Sequence, residues 1–465
     1  MAAPPSLRDE VLPIAILIAV IVFVVRQLPR VDVGHSEAFR RRRALNWLPL
    51  GLTYAFLYMG RYNLAVLKNV GVLGQADFGT IDSVGSLVYG VAFLLNGPLT
   101  DRWGGRATIL IAAAGAAAAN LAMGALILSA DPHAMPVNAL IALFCVNMYF
   151  QSFGAVSIVK VNAAWFHIRE RGTFGGIFGI LISLGIYFAF DWGARILAAA
   201  PGSPQWLFWV PAVLLVVFFA LSYLFVRDNP SEAGFVDFDP ADASSGDAGP
   251  RLPAWTVIKR MMTTRIIVII ALVELCSGFL RQGILKWYPD FAKGIGLGDT
   301  YIRAHWGMVS CIAGITGGMF AGLISDHLFQ SRRAPVSAVL YAIMLLGSIL
   351  IIPLLGAPAA ISWVAAFMAM AIIGVHGMLS GTASADFGGK RNAGIAVGLI
   401  DGAVYLGTAL QSVLYGHILP EKGTPAAKEM ASWYGWPVAM VPVALIGFLL
   451  ALRVWNARPA RAGGH

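Results

Sequence analysis

Thirteen apolar runs of bilayer-spanning length mark the chain, at about 11–29, 46–67, 81–100, 107–129, 136–165, 173–198, 206–226, 264–285, 301–325, 335–355, 361–386, 393–417 and 432–455. Nothing else in the sequence restricts the fold as strongly. A backbone in hydrocarbon has no water to bond, so each run must be a helix that satisfies its own amides. Composition agrees: 58% of residues are hydrophobic and 12% charged, against about 25% charged in soluble domains. The expected fold class is an all-α membrane protein. With loops assigned alternately to two sides, one side carries 22 of the 33 Lys and Arg and the other six. The basic side is therefore expected to be cytoplasmic. The net charge of +9 is thus a topology signal, and no nucleic-acid partner is expected.

The first run has Asp9 and Glu10 before it and Arg26, Arg30 and Arg40 to Arg43 after it. A secretory signal has its positive charge in front, so this segment reads as an uncleaved additional helix with its N-terminus outside. Twelve runs remain. The implied division is residues 1–45, an extra transmembrane helix and basic linker; 46–226, a six-helix bundle; 227–263, a linker; and 264–465, a second six-helix bundle ending in a cytoplasmic tail. The linker is rich in Pro, Gly, Ser and Asp, too polar for a core, and ends in a basic amphipathic stretch from Trp255 to Arg265. The three cysteines, Cys145, Cys276 and Cys311, lie in apolar runs and offer neither a disulfide framework nor a metal spacing.

The two bundles repeat one design. NGPLTDRWGGR sets Gly97 four residues before Asp101, with Arg102 and Arg106 following; AGLISDHLFQSRR sets Gly322 four before Asp326, 225 residues later. The basic loop ending at Gly172 recurs at Gly394 after 222 residues, and Arg61 recurs as Arg281 after 220. Ordinary turns would not keep nearly one offset, so the chain is read as a duplication. Substrate sites in such duplicated transporters lie between the halves near the midplane.

Arg61 and Arg281 fall at that depth. An ionisable side chain inside a bilayer costs about 2.5 to 3.5 kcal/mol on insertion scales, so each arginine needs a compensating partner. A phosphoryl group, carrying about −1.5 to −2 charge near neutral pH, is one such partner. A guanidinium fork meets its oxygens bidentately where an ammonium acts as a point charge. The competing reading pairs each arginine with a carboxylate; Glu274, two turns before Arg281, is the strongest rival.

The paired Gly/Asp/Arg loops resemble those of the major facilitator superfamily, over a twelve-helix core from about Asn46 to Trp455. The resemblance implies the major facilitator fold, two six-helix bundles, here with one additional N-terminal helix to make thirteen. It also implies that Asp101, with Arg106 and the twin Asp326, steadies one access state. YMGRYN, RDNPSEAG and above all GFLRQGILKWYPDF are similar to the organophosphate:phosphate antiporter family. The last matches the family's R-x-G-I-L-D-W-x-P pattern at Arg281, Gly283, Ile284, Leu285, Trp287 and Pro289. By this resemblance Arg61 and Arg281 bind the phosphoryl group, Tyr54 and Tyr58 line the site, and Tyr405 corresponds to a tyrosine of the eleventh core helix. The sequence also departs from the family. Phe93 stands where glycerol-phosphate members have a lysine, Ile182 stands near a family histidine, Lys286 replaces the aspartate of the D-W pair, and a W-P-P run is absent from Gly154 to Ser157.

Lys286 is added to the candidate site as a cation of the outer vestibule, against a reading as a snorkelling lysine. His376 is added as an imidazole at membrane depth. Glu274 and Asp401 are candidates for ion coupling or for ion pairs; Asp191 and Arg195, four apart, are expected to satisfy each other. Lys160 reads either as an inner-vestibule cation or as half of a helix-end ion pair. The expected function is a secondary transporter of a phosphorylated organic anion in exchange for inorganic phosphate, monomeric, in a bacterial-type inner membrane with its C-terminus cytoplasmic. Two alternatives stand beside it: a phosphate-ester sensor of the same fold, and a proton-coupled organic-anion or lipid-phosphate transporter. No nucleophile elbow, metal-ligand cluster or nucleotide-binding glycine loop occurs, so neither enzyme activity nor a cofactor is expected.

Overall fold

The computed structural model describes residues 34–130, 135–167, 170–240, 252–297, 300–329 and 333–456, with five positions of the N-terminal segment (15, 18, 19, 22 and 23). The first apolar run, and with it the thirteenth helix, falls almost wholly outside the described residues. So does the side chain of Asp326.

Among the described residues the regular structure is helical throughout. The first half contains α1 (Glu37–Asn69), α2 (Gln75–Trp103), α3 (Gly105–Ser129), α4 (Val137–Trp165), α5 (Arg171–Tyr187) and α6 (Trp206–Phe225). A short helix α7 (Ala254–Thr263) precedes the second half, which contains α8 (Arg265–Leu285) with its continuation α9 (Tyr288–Gly294), α10 (Trp306–Leu328), α11 (Arg333–Leu354), α12 (Pro358–His376), α13 (Ser384–Ile418) and α14 (Gly435–Arg453). Among the described residues, ten helices are long and apolar enough to cross a membrane by length and composition.

α1 starts at Glu37, about nine residues ahead of the apolar run from which its start was expected. Ser36 caps it by accepting from the Phe39 amide at 3.2 Å. The arginines assigned to a linker are its first turns: Arg43 makes two 2.9 Å bonds to Glu170 and Arg42 donates to the Phe225 carbonyl at 2.8 Å. Hydropathy marks where lipid begins, and a capped helix extends beyond lipid. α7 turns Val257 and Met261 onto Ile267, Ile395 and Leu399, leaving Trp255, Lys259 and Arg260 outward.

Two helices are interrupted by π turns, at Phe188–Trp192 after α5 and Gly377–Ala383 after α12. Such turns recur at functional sites because they re-aim side chains out of the regular ladder. The first re-aims Asp191, which accepts from the backbone amides of Gly307 and Met308 at 3.0 and 2.9 Å. The aspartate thus caps the start of α10 in the opposite half instead of closing on Arg195 as its spacing suggested. The amides at a helix start lack intrahelical partners and suit a carboxylate.

The halves meet along α2 and α13, which pack against each other over most of their length. Glycines permit the approach: a Cβ at Gly97 would stand 2.5 Å from the Gly394 carbonyl, and one at Gly90 2.9 Å from that of Gly402. Close backbone contact of this kind is how helices associate where lipid supplies little hydrophobic drive.

Candidate functional site

Arg61 and Arg281 enter the space between the halves from α1 and α8, and both are almost fully buried, at 4% and 1% exposure. Their surroundings differ. Arg61 is held on three sides: Nε donates to Gln151 Oε1 at 2.9 Å, Nη2 to the Tyr89 hydroxyl at 2.9 Å and Nη1 to the Tyr405 hydroxyl. Its guanidinium also stacks over the rings of Tyr58 and Tyr89, 4.6 and 4.5 Å from their centroids. Gln151 is fixed in turn, since its amide donates to Asn147 Oδ1 at 3.0 Å and Asn147 donates to the Gly60 carbonyl at 3.0 Å.

Arg281 lies 6.0 Å over the face of Tyr405, so one tyrosine touches both cations. Its Nε, Nη1 and Nη2 are all buried, and none has a hydrogen-bond partner. Five N–H donors that cannot be deprotonated are thus presented to the protein interior without an acceptor, where an unmet donor costs about 1–3 kcal/mol and more when charged. Glu274 does not supply the acceptor: its Oε2 bonds His376 Nδ1 at 3.2 Å. The neighbouring residues repeat the pairing of the arginines, for Tyr62 and Gln282 bond each other across the halves at 2.9 Å.

Of the sequence candidates, the structure gathers Arg61, Arg281, Tyr58 and Tyr405 at this point; Tyr54 packs edge-on against Tyr58 at 5.2 Å. Lys286 is placed elsewhere. It is buried and bonds both oxygens of Asp82 at 2.6 and 2.7 Å, so it neither snorkels nor stands as an open vestibule cation. His376 faces the carboxylates of its own half, within 3.2 Å of Glu274 and 3.9 Å of Asp401. Tyr89, Gln151 and Asp82 were absent from the sequence-based set. Phe93, at the position of the family's lysine, packs edge-on against Tyr89 at 4.7 Å and supplies no charge.

Both ends of the space are closed by bonds between the halves. At the end away from the basic loops, Asp82 of α2 takes Lys286 of α8 and accepts from Ser412 of α13 at 2.5 Å. Beside it Asp290 takes Lys68 of α1 and, at 2.5 Å, Lys422 from the segment after α13. Lys422 lies outside the spans, and its burial lowers its pKa from 10.5 to about 8 despite the Asp290 carboxylate. At the basic end, Asp101 pairs with Lys160 at 2.6 Å and accepts from the amides of Gly394 and Ile395 in α13 at 3.2 and 3.1 Å. Lys160 is accordingly half of an ion pair. Arg106 is anchored within the first half, its amide donating to Asp228 and its side chain to the Tyr223 carbonyl.

Residues 50–412 match the Major Facilitator Superfamily. The chain is 24% identical over 453 residues to a glycerol-3-phosphate transporter of Bacillus subtilis, covering 91% of this chain and 95% of that protein. It is 26% identical over 456 residues to the membrane sensor protein UhpC of Escherichia coli, covering 92% and 95%. Among solved structures, a bacterial homologue of the human lysosomal transporter Spinster, inward-facing and unoccupied, superposes with a TM-score of 0.62 at 13% identity, over 92% of this chain and all of that one.

Proposed function

The chain belongs to the Major Facilitator Superfamily, and from that premise we propose that it carries a phosphorylated organic anion across the membrane, in exchange for inorganic phosphate, by alternating access at Arg61 and Arg281. The observation that carries this reading is the Arg281 guanidinium, buried with every nitrogen lacking an acceptor. A phosphoryl group provides several acceptor oxygens in the geometry of the fork and the charge that two buried cations require. The relatives support the chemistry, since the Bacillus subtilis protein is named a glycerol-3-phosphate transporter.

Exchange follows from electrostatics. With no anion present, closing the halves brings two permanent cations together in a poorly solvated space. A bound phosphate removes that repulsion, so the loaded carrier reorients more readily than the empty one. The ion pairs at the two ends are suited to alternate, one set parting while the other holds. We place the basic loops in the cytoplasm, the C-terminus with them and the N-terminus outside, in a bacterial-type inner membrane. The organic moiety meets an apolar wall where Phe93 and Ile182 replace the family's lysine and histidine, which favours a less polar group than glycerol.

Reconstituted vesicles test the reading. Radiolabelled phosphate uptake is expected only when phosphate or a phosphate ester is loaded inside, and uptake that runs equally well into empty vesicles overturns exchange. The sensor relative supports one alternative, a receptor that binds a phosphate ester without moving it. Saturable binding to purified protein, read as a thermal shift, together with no flux in either direction, selects that alternative.

A further inference from the structure

A second group of buried ionisable side chains lies in the second half, on and beside the helix that carries Arg281. Glu274 of α8, His376 at the end of α12 and Asp401 of α13 converge, each at most 2% exposed. His376 Nδ1 is 3.2 Å from Glu274 Oε2 and 3.9 Å from Asp401 Oδ1. Ser380, on the π turn that interrupts the helix after His376, donates to Asp401 Oδ1. The described ion pairs give these carboxylates no lysine or arginine partner. Tyr341, whose hydroxyl donates to the Val273 carbonyl, Cys276, Cys311, Tyr187 and Tyr405 are titratable side chains on the helices packed around them that are not ionised near neutral pH in water. The fixed charges acting on the cluster are Arg281 and, beyond Tyr405, Arg61.

We propose that Glu274, His376 and Asp401 form a proton-binding site linked to the anion site, so that an anion on Arg281 and a proton on this cluster bind together. The inference rests on the phosphate reading of Arg281 and adds to it a coupled proton. Two carboxylates around one imidazole, out of water, do not both stay ionised without a nearby cation. While Arg281 has no acceptor, its whole charge offsets theirs through space. An incoming dianion takes up that charge, the offset is withdrawn, and a proton from the medium settles among the three groups; they titrate as one set. Linkage is reciprocal, so the proton strengthens anion binding by the factor with which the anion strengthens proton binding. Each bound dianion then crosses with less negative charge than it carries in water. The π turn sets the geometry, because it brings the Ser380 hydroxyl to Asp401 and fixes which carboxylate oxygen faces the imidazole.

The test is calorimetric titration of inorganic phosphate into the purified full-length protein, in pairs of buffers with different ionisation enthalpies, across about pH 6 to 8 where an imidazole titrates. Phosphate changes its own charge in this range, so the informative quantity is the difference between wild type and Asp401→Asn, with Glu274→Gln as the second variant should the first not fold. Wild type is expected to take up about one more proton per phosphate than the variant. The ratio of their phosphate affinities is expected to change about tenfold per pH unit, the slope of a single linked proton. Equal proton counts in wild type and variant, with phosphate still bound, overturn the coupling and leave the anion site standing. No phosphate binding in wild type overturns the anion site, and the coupling with it.

Discussion

The two arginines sit at matching points of a duplicated chain, 220 residues apart, and their surroundings are unlike. In the first half Arg61 is locked by Gln151, Tyr89 and Tyr405 and sandwiched between tyrosine rings. In the second, Arg281 rests over Tyr405 with every nitrogen unmet. One half has a built socket and the other an unfilled fork. The difference teaches that a pseudo-symmetric site need not share its work equally. On the proposed phosphate reading, the rigid cation sets where the guest lies, and the unmet one supplies most of the bonds the guest gains.

That division is most easily broken at Arg281. Arg281→Lys is expected to fold, because lysine keeps the charge and the stem, yet to lose at least about 100-fold in phosphate affinity, near 3 kcal/mol, with the bidentate contact. The phosphate-induced thermal shift of the purified variant measures it, and an unchanged shift removes Arg281 from the site. Arg61→Lys is expected to act mainly on stability. An ammonium cannot hold Gln151, Tyr89 and Tyr405 at once, and each buried group left unbonded costs about 1–3 kcal/mol. The apparent melting temperature without ligand should therefore fall, while phosphate affinity drops only about tenfold. If the ranking of the two variants were reversed, the socket would be the binding group and the comparison would fail.

Tyr405 sharpens the comparison because it serves both sides. Tyr405→Phe removes the hydroxyl bonded to Arg61 and keeps the ring beneath Arg281. One hydrogen bond is worth about 0.5–1.5 kcal/mol net, so phosphate affinity should weaken roughly three- to tenfold in an equilibrium binding measurement. No change would mean that the Arg61 position does not matter to the guest.

How far this arrangement is legible in the letters depends on the residue. The helical runs are legible because lipid imposes one backbone solution on any long apolar stretch. Arg61 and Arg281 stand out because a charge at that depth needs a reason. Tyr89 and Gln151 do not, since a tyrosine or glutamine in an apolar helix serves packing as readily as a site, and the sequence does not say which face meets the other half. Asp82 and Lys286 show the same limit more sharply. Lys286 reads as a lone cation near a helix end and Asp82 carries no signal of its own, yet each is the other's partner across 204 residues, a pairing no local spacing encodes. Asp191 followed a rule of helix spacing that holds for regular helices, and the π turn beneath it changed the direction of its side chain.

The smallest expected effect concerns the closed end away from the basic loops, where the halves are joined by pairs the sequence did not foreshadow. Lys422 is partly buried beside Asp290 when this end is closed, and its pKa stands at about 8 in place of 10.5. When the halves part there, water reaches the ammonium and its ordinary value returns. Below about pH 8 both forms hold the proton, and the closed form bears the cost of burying the ammonium. Between about pH 8 and 10 the closed form binds fewer protons than the open one, so raising the pH favours closure. This direction is opposite to that expected if the ion pair alone held the end shut, because desolvation outweighs the attraction of Asp290. Spin labels at Val70 and Lys428, both exposed on opposite halves of this end, should therefore show the shorter-distance population growing as pH rises through that window. In Lys422→Met, which lacks this ammonium, the slope should flatten. Growth of the longer-distance population instead would show that the pair with Asp290, and not the cost of dehydrating Lys422, governs closure at this end.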